Sequence, residues 1–105
     1  MTPNYNNVTR AKVMIFASTK ETKRLWQAEN TILQHIYNFE AGIKDWKSEI
    51  EMVESSYEPS DAMDAADKVL LRNSRKTLKQ LERDRKKATM SLKIIQAELQ
   101  RRAQA

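Results

Sequence analysis

The side chains that usually perform catalysis are scarce in this chain. His35 is the only histidine, cysteine is absent, and Gly42 is the only glycine. A di-iron site in a helical bundle needs Glu-x-x-His pairs, but Ile32 stands three residues before His35 and no second histidine is present. A phosphate-binding glycine loop, a disulfide and a cysteine–zinc site are likewise not encoded. We therefore expect no enzymatic activity and no cofactor, with His35 in solvent or at the edge of the packed surface.

Acidic side chains concentrate in the middle of the chain, where they could gather a divalent cation. The candidates are Asp45, Glu49, Glu51 and Glu54. They lack the spacing of an EF-hand loop, in which ligands alternate along twelve residues around a central glycine. A solvated acidic helix face is the simpler interpretation, and we expect no metal.

Basic side chains dominate the last third of the chain, where residues 68–105 contain twelve bases and three acids. Six of them recur at steps of four, three, four, three and seven, which places them on one helix face about 30 Å long. This basic stripe consists of Arg72, Lys76, Lys79, Arg83, Lys86 and Lys93. It could follow a nucleic-acid backbone, meet an acidic protein surface, or lie in solvent. Because zinc-finger, helix-turn-helix and RNA-binding signatures are missing, any nucleic-acid binding would be non-specific.

A second candidate surface is apolar. Trp26, Leu33 and Tyr37 share one helical face outside the main hydrophobic seam. Aromatic side chains dominate interface energetics, so we expect these three residues, the apolar anchor, to bind a partner protein.

The elements that carry these surfaces are predicted to be helices, because one glycine and two prolines are too few for a β-rich fold. Residues 1–7 read as a flexible arm that ends at a helix cap on Asn6 or Asn7. Helix one is expected over about 8–57, either continuous or broken near residue 18, where Ser18-Thr19-Lys20-Glu21 forms a capping-box pattern that could start a new helix. Its seam has steps of three and four: Leu25, Glu29, Ile32, Ile36, Phe39, Ile43, Trp46, Ile50, Val53 and Tyr57.

Pro59 predicts a turn over about 58–60, and Ser60 is a suitable N-cap for helix two, expected over about 61–103. Its seam comprises Leu71, Ser74, Leu78, Leu81, Arg85, Ala88, Leu92, Ile95 and Leu99. The fold class is therefore all-α, a coiled-coil-like antiparallel two-helix hairpin that forms one domain over 8–105.

A turn centred on residues 58–59 pairs residues whose numbers sum to about 117, such as Phe39 with Leu78. This register brings Glu29 within about a turn of Arg85, and we expect either a register-fixing pair or an Arg85 that reaches solvent.

The hairpin alone would have a thin core, so something must cover it. A homodimer that forms a four-helix bundle is the preferred interpretation, and a third helix over 8–17 folding back is the alternative. Gly42, in mid-helix, predicts close approach of another helix beside Trp46.

Charge is distributed unevenly, with +4 over residues 10–24, −8 over 25–67 and +9 over 68–105. The hairpin then has an acidic tip and a basic open end.

No apolar run is long enough for a membrane span or a secretory signal, so we expect a cytoplasmic protein. The expected function is a non-enzymatic protein interaction module, such as an adaptor, chaperone, scaffold or inhibitor. The alternative is a non-specific nucleic-acid binder that uses the basic stripe.

Overall fold

The computed structural model describes residues 3–57 and 62–105, and all its regular structure is helical. Three helices follow one another: α1 (Arg10–Thr19), α2 (Thr22–Ser55) and α3 (Ala65–Gln104). The all-α prediction is confirmed, and α2 packs against α3 as a hairpin. The molecule is elongated, with extents of 65 × 22 × 20 Å.

Helix α1 begins two residues later than expected, because its cap is Thr9 rather than Asn6 or Asn7. The Thr9 hydroxyl accepts a hydrogen bond of 3.2 Å from the Lys12 backbone N–H. Thr9 itself is extended, as an N-cap residue must be, and its side chain satisfies one of the unpaired first-turn donors.

The helix is broken after Thr19, which is one of the two alternatives that the sequence left open, and the cause differs from the capping-box pattern. The Ser18 and Thr19 hydroxyls each donate a hydrogen bond to the Ile15 carbonyl, at 3.1 and 2.7 Å. Both residues therefore belong to the last turn of α1. Lys20 and Glu21 are then extended, with ψ of 152° and 151°. Glu21 starts α2 without a side-chain cap. Two consecutive extended residues allow the chain to reverse direction.

Helix α1 folds back along the hairpin, which confirms the third-helix alternative. Val13 and Ala17 share a buried cluster with Leu25 and Ile95, so α1 covers the open end of the hairpin. The Arg102 guanidinium donates to the Ala17 carbonyl and to the Thr22 hydroxyl, both at 3.1 Å, and holds the α1–α2 corner against α3.

The segment before α1 is packed, in contrast to the expected loose arm. Tyr5 is 7% exposed and lies in a cluster with Phe39 and Ala88. Lys87 Nζ donates to the Tyr5 and Asn6 carbonyls at 3.2 and 3.0 Å. An aromatic ring that gains this much burial offsets the entropy lost by ordering a short segment.

The register of the hairpin differs from the predicted one by about a heptad. A Cβ added to Gly42 would meet Leu81 Cδ1 at 3.3 Å, and Tyr57 donates to the Asp67 carboxylate. Residues that face each other therefore have numbers that sum to about 124. The reason is the later start of α3 at Ala65, with Asp64 as its N-cap residue. The predicted turn at 58–60 and the Ser60 cap lie outside the described residues.

Burial on α3 follows two faces instead of one. Leu71, Ser74, Ala88, Leu92 and Ile95 are buried as the seam predicted. Asp84 and Ser91 are buried as well, because α1 and the segment before it pack on that flank. Arg85, predicted in the seam, is exposed.

Candidate functional site

The basic stripe is exposed along its whole length. All six side chains are exposed: Arg72, Lys76, Lys79, Arg83, Lys86 and Lys93. None of them takes part in the ion pairs found within residues 3–57 and 62–105, which join Arg75 to Glu54 and Glu98 to Arg101 and Arg102. The stripe stays exposed because it lies about half a turn away from the buried row Leu71, Ser74, Ala88, Leu92 and Ile95.

Part of the stripe borders an open groove of about 870 Å³ on the outer surface of α3. Lys86 and Lys93 lie along it with Arg85, while Met90 and Ile94 supply apolar surface. Arg10 of α1 adds a further base, so that four bases and two acids, Glu40 and Glu82, line the groove. Such a groove suits an acidic partner that also offers apolar side chains, whereas a phosphate backbone would use only its charges.

The apolar anchor lies on α2, and α1 does not cover it. Trp26 is 59%, Leu33 45% and Tyr37 69% exposed. Helix α1 packs instead on the α2 face that carries Ala28 and Ile32. Three large apolar side chains therefore remain exposed on one face after the chain has folded.

The predicted Glu29–Arg85 pair is not formed in this register. Glu29 is half-buried and Arg85 exposed, and no ion pair joins them in the described part of the chain. In the observed register Arg85 lines the α3 groove, and so does Glu40 of α2.

His35 belongs to a polar cluster that the sequence did not reveal. The Tyr5 hydroxyl and His35 Nδ1 share a hydrogen bond of 2.7 Å, and the rings meet edge to face. Asp84, 5% exposed, accepts from the Gln80 side-chain amide at 3.0 Å. Burial, and next the charge of Asp84, raise the pKa of the Tyr5 phenol above its ordinary value.

This cluster fixes the N-terminal segment to the hairpin. Its members are hydrogen-bonded to one another or to backbone, and the rings and aliphatic residues around Tyr5 fill the space. A tyrosine placed in an otherwise polar segment was the available signal in the sequence, because such a ring is costly to leave in water.

A second polar cluster closes the open end of the bundle. Glu98 accepts from Arg101 and Arg102 with N–O distances of 2.6 and 2.9 Å. These hydrogen bonds, first from Arg101 and then from Arg102, lower the pKa of Glu98 to about 2. The Glu98 carboxylate therefore stays charged at neutral pH and orients Arg102 toward the α1–α2 corner.

The acidic residues near the tip do not assemble into a metal site in the described ranges. No group of three or more potential ligands converges there. Asp45, Glu49 and Glu51 are exposed on α2, and Glu54 is paired with Arg75.

Among the described helices, none combines the length and apolar character needed to cross a membrane. Compared with known proteins, the chain matches no protein-family model, and no curated protein or solved structure matches it significantly. The two exposed surfaces, the apolar anchor on α2 and the basic stripe on α3, are the features of the fold that bear on function.

Proposed function

We propose that this chain is a non-enzymatic interaction module that presents a rigid helical surface to a partner protein, as an adaptor, scaffold, chaperone or inhibitor does. The apolar anchor on α2 provides most of the binding free energy. The basic stripe on α3 steers an acidic partner toward the surface and raises the association rate.

The observation that supports this proposal best is the exposure of Trp26, Leu33 and Tyr37 in a chain that already has a covering helix. Helix α1 buries Val13 and Ala17 against the hairpin, yet the three anchor residues stay exposed on another face of α2. Exposed clusters of aromatic side chains on a rigid element are typical of interface hot spots.

The proposal is tested by retaining partners from an extract of the producing cells on the tagged chain, with and without nuclease treatment. We expect one protein to be retained in stoichiometric amount after nuclease, identified by mass spectrometry. Loss of all bound material on nuclease treatment would contradict the proposal and favour nucleic acid.

A non-specific nucleic-acid binder is the second candidate, favoured by the exposure of all six residues of the basic stripe. Each basic side chain that neutralises a phosphate would contribute about one unit to the slope of log K, the binding constant, against the logarithm of the salt concentration. The triple variant Lys79→Gln, Arg83→Gln, Lys86→Gln should then weaken binding to unrelated duplexes equally and flatten that dependence. An unchanged salt slope would reject this candidate.

The homodimer expected from the sequence stays a prediction. The sequence suggested a second copy because the hairpin core needed a cover, and α1 already covers one side of the hairpin. What a second copy would still cover is the anchor face of α2.

A further inference from the structure

We propose that one face of α2 is a self-complementary interface through which two copies of this chain pair antiparallel about a twofold axis. The face consists of Lys23, Trp26, Asn30, Leu33, Tyr37 and Glu40, all exposed. This inference rests on the proposed function, because it assigns a second copy to the apolar anchor and leaves the basic stripe to an acidic partner.

The spacing of this α2 face is the same in both directions along the helix. Its residues follow one another at steps of three, four, three, four and three, so they form one row on the surface. A twofold axis between Thr31 and Ile32 places each residue of the row opposite another member of the row. A closed dimer requires such self-complementarity, because both copies use the same surface.

The side chains brought together by this symmetry match in chemistry. Trp26 of one copy meets Tyr37 of the other, which pairs two aromatic rings, and the pair occurs twice. Asn30 meets Leu33 near the axis. An amide at the centre of an apolar contact costs stability and specifies register, as it does in coiled coils.

Charge complementarity selects the antiparallel orientation. The same symmetry sets Lys23 opposite Glu40 at each end of the row, whereas a parallel pair would set Lys23 against Lys23 and Glu40 against Glu40. Neither residue has an ion-pair partner in the described part of its own chain, and Glu40 borders the α3 groove with Arg85. Both are therefore available to a second copy.

The size of the face predicts a weak dimer. The anchor contributes three large apolar side chains per copy, each already partly packed on its own helix. Three such side chains per copy make a small contact, near the lower end of stable interfaces at roughly 1,200 Å², so we expect association that depends on concentration.

The test is the solution mass of the purified full chain, measured by sedimentation over a concentration series. We expect twice the chain mass of 12.3 kDa at high micromolar concentration. Lys23→Glu and Glu40→Lys should each weaken the dimer about tenfold, because each change replaces two attractive pairs with two repulsive ones. The double variant, and an equimolar mixture of the two single variants, should restore association, since both bring opposite charges together again.

Two exposed residues elsewhere on α2 give matched controls. Lys47→Glu and Glu49→Lys make the same charge changes outside the face and should leave the dissociation constant unchanged, with helicity checked for every variant. A monomer at all concentrations would overturn the inference, as would a dimer insensitive to the single changes or not restored by the double change. If the chain is monomeric, but the wild type retains a different protein that Trp26→Ala does not retain, this inference fails and the proposed function stands. If Trp26→Ala changes neither the solution mass nor the retained protein, both fail.

Discussion

Arg102 is the residue on which the position of α1 depends most. Its guanidinium contacts three groups, the Glu98 carboxylate on its own helix, the Ala17 carbonyl and the Thr22 hydroxyl. It is largely buried, while Arg101 next to it is exposed and bonds only to Glu98 within the described residues. Arg102 therefore connects α3 to α1 and α2, whereas the bond of Arg101 stays within α3.

We predict that Arg102→Gln lowers the free energy of unfolding by about 2 kcal/mol, because charged hydrogen bonds to two other segments are lost. Arg101→Gln, the matched control, should lower the free energy of unfolding much less, as expected of an exposed pair. Urea unfolding followed by circular dichroism measures both. Equal effects of the two changes would show that Arg102 does not fix the corner.

Glu98 makes stability depend on pH in a defined range. Its pKa is lowered to about 2 in the folded chain from an ordinary 4.5, so the unfolded chain takes up the proton first as the pH falls. The contribution of Glu98 is complete above pH 4.5 and is lost as the pH falls toward 2.

We therefore predict that the difference in melting temperature between the wild type and Glu98→Gln shrinks as the pH falls from 4.5 toward 2. Comparing the two chains at each pH cancels the titration of the other carboxylates. A difference that stays constant from neutral pH down to pH 2 would contradict the assigned pKa.

Gly42 tests the close approach of α2 and α3. Alanine in place of glycine usually stabilises an exposed helix by about 1 kcal/mol, but here the added methyl group would lie 3.3 Å from Leu81 Cδ1. We predict that Gly42→Ala raises the free energy of unfolding by less than this value in the wild-type chain, and by the full value in a Leu81→Ala background. A double-mutant cycle in urea gives the coupling, and additive effects would show that the helices are not in contact there.

At the scale of elements, the periodicity of apolar residues was sufficient to predict the two long helices and their hairpin. It did not place the break after Thr19, which only the capping-box pattern suggested, as one of two alternatives. The register could not be fixed in this way, because a shift of seven residues leaves a pattern of threes and fours unchanged. Contacts such as Gly42 with Leu81 depend on where α3 starts, and the turn sequence suggested too early a start.

The second buried face of α3 shows what the seam pattern left out. Asp84 and Ser91 alternate with Ala88 and Ile95 of the predicted seam at steps of four, three and four, but both are polar, so neither stood out as a core residue. They are buried because Tyr5 and α1 pack there. The exposure of Trp26, Leu33 and Tyr37, in contrast, could be predicted from periodicity alone, since an exposed apolar face needs no knowledge of register.

The uneven cover given by α1 predicts uneven stability along the hairpin. Three helices pack near Leu25 and Ile95, whereas near Ile43 and Leu71 the core comes from two. Amide hydrogens of α2 over residues 28–39 should exchange at least about tenfold more slowly than those over 46–53. Hydrogen exchange with mass spectrometry checks this, and equal protection in both ranges would contradict the role of α1.

At the scale of the whole molecule, the fold separates two kinds of surface. One flank of the hairpin is covered by α1, the outer side of α3 carries the basic stripe, and a further face of α2 carries the apolar anchor. A basic surface attracts many polyanions, while an exposed aromatic cluster selects a partner by shape. This division is why we assign affinity to α2 and steering to α3.

The most direct test of this assignment compares three tagged chains in nuclease-treated extract of the producing cells: wild type, Trp26→Ala and Met52→Ala. Met52 is the matched control, because it is an exposed apolar residue of the same helix outside the anchor. We predict that wild type and Met52→Ala retain the same protein, which is the untagged chain itself if the α2 faces pair, and that Trp26→Ala loses it with helicity intact. Retention by Trp26→Ala at the wild-type level would contradict the claim that this face of α2 binds the partner.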